Sequence, residues 1–386
     1  MQINELKTIT VVGAGLMGSG IAQVGLMNGY TVHLTDISEV SLNRAIENIY
    51  KSLEKLVSKN IITPAVVSRI QSGKLVVNLS MEEAIKNSDF IIEAVPEDMS
   101  IKRSVFSIIN ANAPENAVIA TNTSTMSITS IALSTSRPGN ILGMHFFNPP
   151  VLMKLVEVIA SKYTTDSTLK FGCEFVNKIG KTLIVAKKDT PGFIANRIAA
   201  PVVIYNGLCI DIEGFDPADI DLSMMKIGQK MGPIELADYS GLDVMNNVQR
   251  YYHEYLSTDY SPSKISQQLQ DDNKLGKKTG SGYYEWKDGK RPVLDPGKYS
   301  GEYNPEISFF IQANEASKLI EQGVCSLDDC DKAMVYGYNS QGPFDYIQNY
   351  EPDYITSILD AIAHRYKKAI FRPTTFIKEG KYLHSR

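Results

Sequence analysis

Residues 9–36 leave few folds open. Ile9-Thr10-Val11-Val12 is a short β-branched run that passes directly into Gly13-Ala14-Gly15-Leu16-Met17-Gly18. A helical pattern spans 19–28, with Ile21, Ala22, Val24, Gly25 and Leu26 on its inner face, and Gly29-Tyr30 ends it. Residues 31–36 form a second strand that finishes in an acid, Asp36. Strand, glycine turn, helix, strand and terminal acid is the order in which a βαβ unit holds a dinucleotide. Gly13 permits the tight turn, and Gly15 lets the backbone approach a pyrophosphate at the helix N-terminus. Gly18 allows the helix to pack closely on the strand. Leu16 and Met17 lie inside the same turn and count with the glycines as cofactor-binding positions. Asp36 follows Gly13 by 23 residues, placed to accept hydrogen bonds from ribose hydroxyls. Its charge repels a 2′-phosphate, so NAD is expected rather than NADP.

The alternation continues. A long amphipathic helix is predicted over 38–59, capped by Ser38, and its face carries Ser52, Lys55 and Lys59. On the residue pattern alone that face reads as solvated. Strands at 75–77, 90–95 and 117–120, with a helix at 101–110, extend the series. The fold class is α/β: a Rossmann-type, doubly wound, mostly parallel sheet with helices on both faces. Ligands of such sheets bind beyond the carboxyl ends of the strands. Pro96-Glu97-Asp98, Asn122-Thr123-Ser124 and His145 all fall at or just past predicted strand ends.

The stretch from Thr121 to Ile159 holds two apolar runs, 140–147 and 152–159, separated by Asn148-Pro149-Pro150. His145 sits near the end of the first run and Glu157 near the end of the second. Each is a polar misfit in apolar company, and a carboxylate buried without a partner is costly. Two adjacent strands joined by a short loop would let one misfit satisfy the other. Such a pair reads either as a satisfied core contact or as an acid–base device, and its address at the strand ends favours the second.

After Lys187-Lys188-Asp189-Thr190-Pro191-Gly192-Phe193 the composition changes and long helical patterns replace the alternation. The first spans 194–213, its apolar face interrupted by Asn196 and Arg197. Asn196 must hydrogen-bond either neighbouring backbone or a ligand. An internal repeat follows. Asp219-Ile220-Asp221 through Gly232-Pro233 lines up with Asp329-Cys330-Asp331 through Gly342-Pro343, and Asp221 to Pro233 and Asp331 to Pro343 are both 12 residues apart. Upstream helical segments at 203–214 and 313–323 match as well, as expected of two copies of one helical unit packed on each other. Between them lie a basic glycine loop at 274–284, suited to a phosphate or carboxamide or to a solvated turn, and a Pro/Gly-rich linker near 288–305. Three domains are expected: a nucleotide-binding domain over 1–188 and two all-α copies over 189–295 and 296–386.

At 386 residues the chain has ample length for several cores. A net charge of −4 gives no reason to expect nucleic acid or an anionic membrane as partner. The four cysteines show neither a disulfide framework nor a metal-ligand spacing, and no apolar run is long enough to span a bilayer. The N-terminus has no signal-peptide pattern, so a cytoplasmic protein is expected.

Seven motifs carry a family resemblance: GAGLMGSGIA at 13–22, NTS at 122–124, HFFNP at 145–149, MKLVEV at 153–158, DTPGFIANR at 189–197, MGPIELADYSGLD at 231–243 and KLGKKTGSGYY at 274–284. Together they resemble the 3-hydroxyacyl-CoA dehydrogenase family, in particular its 3-hydroxybutyryl-CoA dehydrogenase-like members, over about residues 7–290. Residues 300–386 resemble a second copy of that family's C-terminal helical domain. The resemblance implies NAD-dependent interconversion of (S)-3-hydroxyacyl-CoA and 3-ketoacyl-CoA. It implies His145 as base, Glu157 as its partner, and Ser124 and Asn196 at the reacting end of the substrate. Glu97, Lys102, Asn122, Ser124, Asn148 and Lys278 match cofactor-facing positions. Ser52, Lys59, Lys102 and Ser124 match positions that face the CoA moiety. In single-copy members the helical domain forms the dimer contact. A second copy in the same chain implies an intrachain pseudo-dimer and favours a monomer. Two rival readings are a dehydrogenase of a free hydroxy or sugar acid and a non-catalytic NAD-binding protein. Against lysine-based relatives of the first kind, Phe193 stands where they place their lysine, three residues before Asn196.

Overall fold

In the computed structural model, which describes residues 2–383, the chain divides into two units, Met1–Phe193 and Ile194–Arg386. The first begins with β1 (Thr8–Val12), α1 (Leu16–Met27) and β2 (Thr31–Thr35), the strands paired in parallel from Thr8 with Thr31 to Val12 with Thr35. Two glycines of the turn are held by backbone geometry. Gly13 has φ +103°, and a Cβ on it would stand 2.6 Å from the Ala94 carbonyl oxygen. A Cβ on Gly18 would lie 1.8 Å from the carbonyl oxygen of Gly13, so only glycine lets α1 start this close to the turn.

Helix α2 (Glu39–Ser58) is capped by Ser38, whose hydroxyl accepts from the Ser41 N–H at 3.2 Å. It buries Leu42, Ala45, Ile49, Leu53 and Leu56 at helical spacing. Helix α3 (Pro64–Gln71) was not foreseen from the apolar pattern, although Pro64 in its first turn marks the start. Then come β3 (Leu75–Asn78), α4 (Met81–Ile85), β4 (Phe90–Glu93), α5 (Met99–Asn112), β5 (Val118–Thr121), α6 (Ile128–Ala132), β6 (Ile141–Phe146), β7 (Leu155–Ala160), α7 (Asp166–Lys178) and β8 (Thr182–Ala186). The sheet has eight strands in the order β3-β2-β1-β4-β5-β6-β7-β8. Every neighbouring pair is parallel except β6 with β7, so β7 and β8 run against the rest. The carboxyl ends of β1, β4, β5 and β6 therefore share one edge, and the connection from β6 to β7 turns at that same edge. Buried Val11, Leu34, Phe90, Met144 and Val158 belong to one core with α7, whose Phe171 and Phe175 meet Phe90 edge-on at 5.2 and 4.9 Å.

The second unit is helical. Helix α8 (Ala195–Leu208) is shorter than the segment 194–213 read from sequence. Residues Cys209–Glu213 continue it in the wider π-type winding, and Gly214, at φ +76°, stops it. There follow α9 (Pro217–Lys226), α10 (Pro233–Ser240), α11 (Leu242–Tyr255), α12 (Lys264–Asp271), α13 (Glu306–Glu321), α14 (Leu327–Tyr338), α15 (Pro343–Ile347), α16 (Pro352–Tyr366) and α17 (Thr375–Lys378). The segment 288–305 is irregular but anchored, since Ser300 donates through its N–H and its hydroxyl to Asp219 at 2.8 and 2.6 Å. Asp221 on α9 accepts from the N–H groups of Ile234 and Glu235, both at 2.8 Å, capping α10 from a distance. Asp331 on α14 accepts from the Phe344 N–H at 2.8 Å and caps α15 in the same way. Gly232 and Gly342 lie against these carboxylates, where a Cβ would come within 2.2 and 2.6 Å of the carboxyl carbon. Helix α13 packs along α8, and the buried Arg197 of α8 is ion-paired with the buried Glu315 of α13.

The turn between β6 and β7 is tied by Lys181, whose Nζ donates to the carbonyls of Pro150 and Met153, both at 2.6 Å. Burial pushes this amine down from 10.5 to about 8. Unfolded, it titrates near 10.5, so between those values the unfolded chain binds the extra proton and stability rises with pH. Urea unfolding of the wild type and of Lys181→Met should therefore diverge in favour of the wild type as pH rises from about 8 to 10. A difference that stays flat or falls would show that Lys181 titrates normally.

Candidate active site

The register of β6 on β7 places His145 directly opposite Glu157. Neighbours across an antiparallel pair project to the same face, and here the imidazole Nδ1 lies 2.6 Å from the Glu157 carboxylate. Glu157 is 0 % and His145 6 % exposed. With Nδ1 engaged by the carboxylate, Nε2 is the ring nitrogen that Glu157 does not hold. Phe147 and Phe193 flank the imidazole with ring centroids 4.5 and 6.0 Å away. Phe193 itself is fully buried and holds φ +53°, next to Gly192 at φ +78°. A left-handed aromatic residue is costly backbone, and such strain gathers at functional sites.

The neighbouring strand ends are joined by a charge cluster that is buried at Glu93 and Lys102 and open to solvent at Glu97. Glu93, the last residue of β4, accepts from Lys102 Nζ at 2.8 Å, Thr121 Oγ1 at 2.6 Å and the Val95 N–H at 2.8 Å. The same Lys102 ammonium lies 3.2 Å from Glu97. Glu97 in turn accepts from the Thr123 hydroxyl and from the Ser124 N–H at 3.0 Å, with the Ser124 hydroxyl at 3.4 Å. Burial works against the charged Glu97 carboxylate, but Lys102 and these donors outweigh it and hold its pKa below the ordinary value. Asn122 ties β5 to its neighbours, its N–H donating to the Glu93 carbonyl and its Oδ1 accepting from the Phe146 N–H, at 2.8 and 2.9 Å. Ser124 thus stands at the end of a chain of contacts that starts on β4. Lys102 is 1 % exposed, its ammonium drawn inward by Glu93 and Glu97.

The glycine turn fits a dinucleotide. A Cβ on Gly15 would meet nothing within 4 Å, so the backbone there lies open at the N-terminus of α1, whose first N–H groups have no acceptor within the helix. Asp36, just after β2, accepts from the Ala14 N–H at 2.8 Å and the Ser38 N–H at 2.9 Å, which fixes the carboxylate beside the turn. Leu16 is exposed, and Ile37 is 95 % exposed immediately after Asp36. These are two apolar side chains that a planar ring could cover. Sequence reasoning missed Ile37 and Glu93. A lone apolar residue after the acid was the available signal for the first, and nothing in the sequence separates Glu93 from any other strand-end acid.

The remaining predicted positions are more dispersed. Ser52 accepts from the Gln23 side chain at 3.0 Å, and Lys59 is exposed just past the end of α2. Asn148 is exposed in the turn after β6. In the second unit, Asn196 lies in the first turn of α8 and its Oδ1 accepts from the Tyr338 hydroxyl at 2.8 Å. Lys278, in the basic glycine loop, is ion-paired with Asp243.

Lys102→Met would leave two carboxylates, one of them fully buried, without their cation. A cost of about 3–5 kcal/mol in urea unfolding is expected, with partial recovery when Glu93→Gln is added. A near-neutral single variant would show that the cluster contributes nothing to folding.

Two family models match the chain: the 3-hydroxyacyl-CoA dehydrogenase NAD-binding domain over residues 8–190 and the C-terminal domain of the same family over 192–286. The mitochondrial hydroxyacyl-coenzyme A dehydrogenase of Sus scrofa is 37% identical over 289 residues, covering 73% of this chain and 92% of its own length. A 3-hydroxybutyryl-CoA dehydrogenase of Bradyrhizobium diazoefficiens is 35% identical over 75% of this chain and 98% of its own. The crystal structure of 3-hydroxybutyryl-CoA dehydrogenase from Escherichia coli K12 superposes over 99% of both chains, with a TM-score of 0.89 at 26% identity. Both models match in sequence order, meeting within two residues of the boundary between the two units, and the chain therefore belongs to the 3-hydroxyacyl-CoA dehydrogenase family of NAD-dependent oxidoreductases.

Proposed function

We propose that the chain interconverts (S)-3-hydroxyacyl-CoA and 3-ketoacyl-CoA with His145 and Glu157 as an acid–base pair, acting on short acyl chains such as 3-hydroxybutyryl- and acetoacetyl-CoA. The observation that carries this reading is the 2.6 Å contact between His145 Nδ1 and a fully buried Glu157, at the sheet edge where the glycine turn also lies. NAD, when bound, supplies the hydride acceptor. In the oxidation, His145 Nε2 takes the proton of the 3-hydroxyl, a transfer suited to an imidazole near neutral pH. Glu157 keeps the proton on Nδ1 and stabilises the imidazolium that results, following triad logic without a nucleophile. Ser124, held by Glu97, and Asn196 hydrogen-bond the reacting end of the substrate and restrict its orientation. Gly13, Gly15, Leu16, Met17, Gly18 and Asp36 hold the cofactor, with Asn122, Asn148 and Lys278 completing its surroundings. Ser52 and Lys59 face the CoA moiety, and Lys102 acts by holding Glu97. The names of the Bradyrhizobium and Escherichia relatives support the short-chain substrate.

Within the same proposal, 189–295 and 296–386 are two copies of one helical domain, and the second occupies within the chain the contact that a partner would otherwise fill. The paired caps Asp221 and Asp331, each crowded by a glycine before a proline, support the duplication. The buried Arg197–Glu315 ion pair between α8 and α13 supports the intrachain contact.

Two experiments test these readings. His145→Gln should retain NADH binding in a fluorescence titration while kcat on acetoacetyl-CoA falls by about two to four orders of magnitude. Glu157→Gln should also impair turnover without abolishing cofactor binding. Normal turnover in the His145 variant would sink the acid–base assignment, and rates across longer 3-ketoacyl-CoA substrates check the chain length. Light scattering in solution should give a monomer near 42.7 kDa. A dimer built through the 190–290 helices would overturn the intrachain pseudo-dimer.

A further inference from the structure

We infer that Tyr338, from the second helical copy, is a positioning residue for Asn196, so that this copy contributes to turnover and not only to packing. The inference rests on the proposed role of Asn196 at the substrate. Asn196 sits in the first turn of α8, and the Tyr338 hydroxyl donates to its Oδ1 at 2.8 Å. A carboxamide can present either of its two ends, and a fixed donor on the oxygen decides which. With Tyr338 donating to Oδ1, the two ends of the carboxamide cannot exchange places without losing this bond.

Tyr338 is the last residue of α14, and that helix is pinned at both ends. Its start carries a reciprocal capping box between Ser326 and Asp329. At its end, Asn339 takes the left-handed conformation at φ +51°, the Ser340 N–H donates to the Met334 carbonyl at 3.2 Å, and the Ser340 hydroxyl accepts from Gln229 at 2.9 Å. Asp331 on the same helix caps α15. A hydroxyl carried on so restrained an element can hold its partner to one orientation.

The repeat makes the assignment specific to the second copy. With Asp331 matched to Asp221 and Gly342 to Gly232, Tyr338 falls opposite Gly228, a glycine at φ +102°. The first copy carries no side chain at the matching position. The duplication has therefore diverged at the position that meets Asn196.

Tyr338→Phe removes one hydroxyl and keeps the ring. In steady-state assays with acetoacetyl-CoA, kcat/KM should fall about three- to tenfold, with the KM for NADH and the melting temperature unchanged. In an Asn196→Ala background the same substitution should change nothing further, because the group it positions is gone. Ser340→Ala, which loosens the same helix end without touching Asn196, should leave kcat/KM at the wild-type value. An unchanged Tyr338→Phe, an equal loss in the Asn196→Ala background, or an equal loss in Ser340→Ala would each overturn the assignment. If Asn196→Ala alone is fully active, the substrate role of Asn196 falls and the assignment falls with it. An impaired Asn196→Ala beside a normal Tyr338→Phe removes the positioning role alone.

Discussion

The antiparallel pairing of β6 with β7 is the constraint on which the rest of the first unit depends. Every other neighbouring pair of the sheet is parallel. One reversal sets a histidine from one strand opposite a glutamate from the next and buries both. A shift of one residue in that register would turn Glu157 to the other face of the sheet and leave a buried carboxylate without its partner. The pairing is accordingly reinforced away from the pair itself, through Lys181 on the connecting turn and Asn122 on the Phe146 N–H. The proposed acid–base device is thus fixed by strand register, with little left to side-chain freedom.

Buried charge is used in the same way elsewhere. Lys102 lies between Glu93 and Glu97, and Glu97 reaches the N–H of Ser124, so one cation organises the ends of β4 and β5. In the second unit the buried Glu315 meets Lys318 on its own helix α13 and Arg197 on α8, and the pair with Arg197 joins helices of the two proposed copies. Such clusters add little net stability over apolar packing, yet breaking one is expensive. Their effect is to make one arrangement of neighbouring elements far better than its alternatives.

The parts legible from sequence were those in which a residue type has a single physical reason to be where it is. Gly13 and Gly18 are needed because a Cβ would strike a backbone oxygen, and Asp36 belongs where a strand ends beside a helix N-terminus. His145 and Glu157 stood out as misfits in apolar runs. The burial of Lys102 was not legible, because it depends on two acids at the end and just beyond β4, and a helical pattern does not reveal what lies opposite. The segment 194–213 read as one helix because a change to wider winding at Cys209 leaves the apolar spacing almost intact. The 12-residue spacing from acid to proline was visible as a repeat. Its cause, a carboxylate capping the next helix from a distance, required the coordinates.

That cause also bears on how the two halves of the helical unit could diverge. A capping aspartate, a glycine that cannot carry a Cβ against it and a proline in the first turn form a set in which each member constrains the others. Both halves keep the set, while the matched positions seven residues after each aspartate differ, with Gly228 beyond α9 in one half and Tyr338 at the end of α14 in the other. Constraint by backbone crowding preserves the frame, and the positions outside it are available for new contacts. A pair of identical chains must carry every change on both sides of its interface. The two proposed copies, carried in one chain, are released from that rule. Asymmetry between the proposed copies, of the kind seen where Tyr338 meets Asn196, is what such release permits.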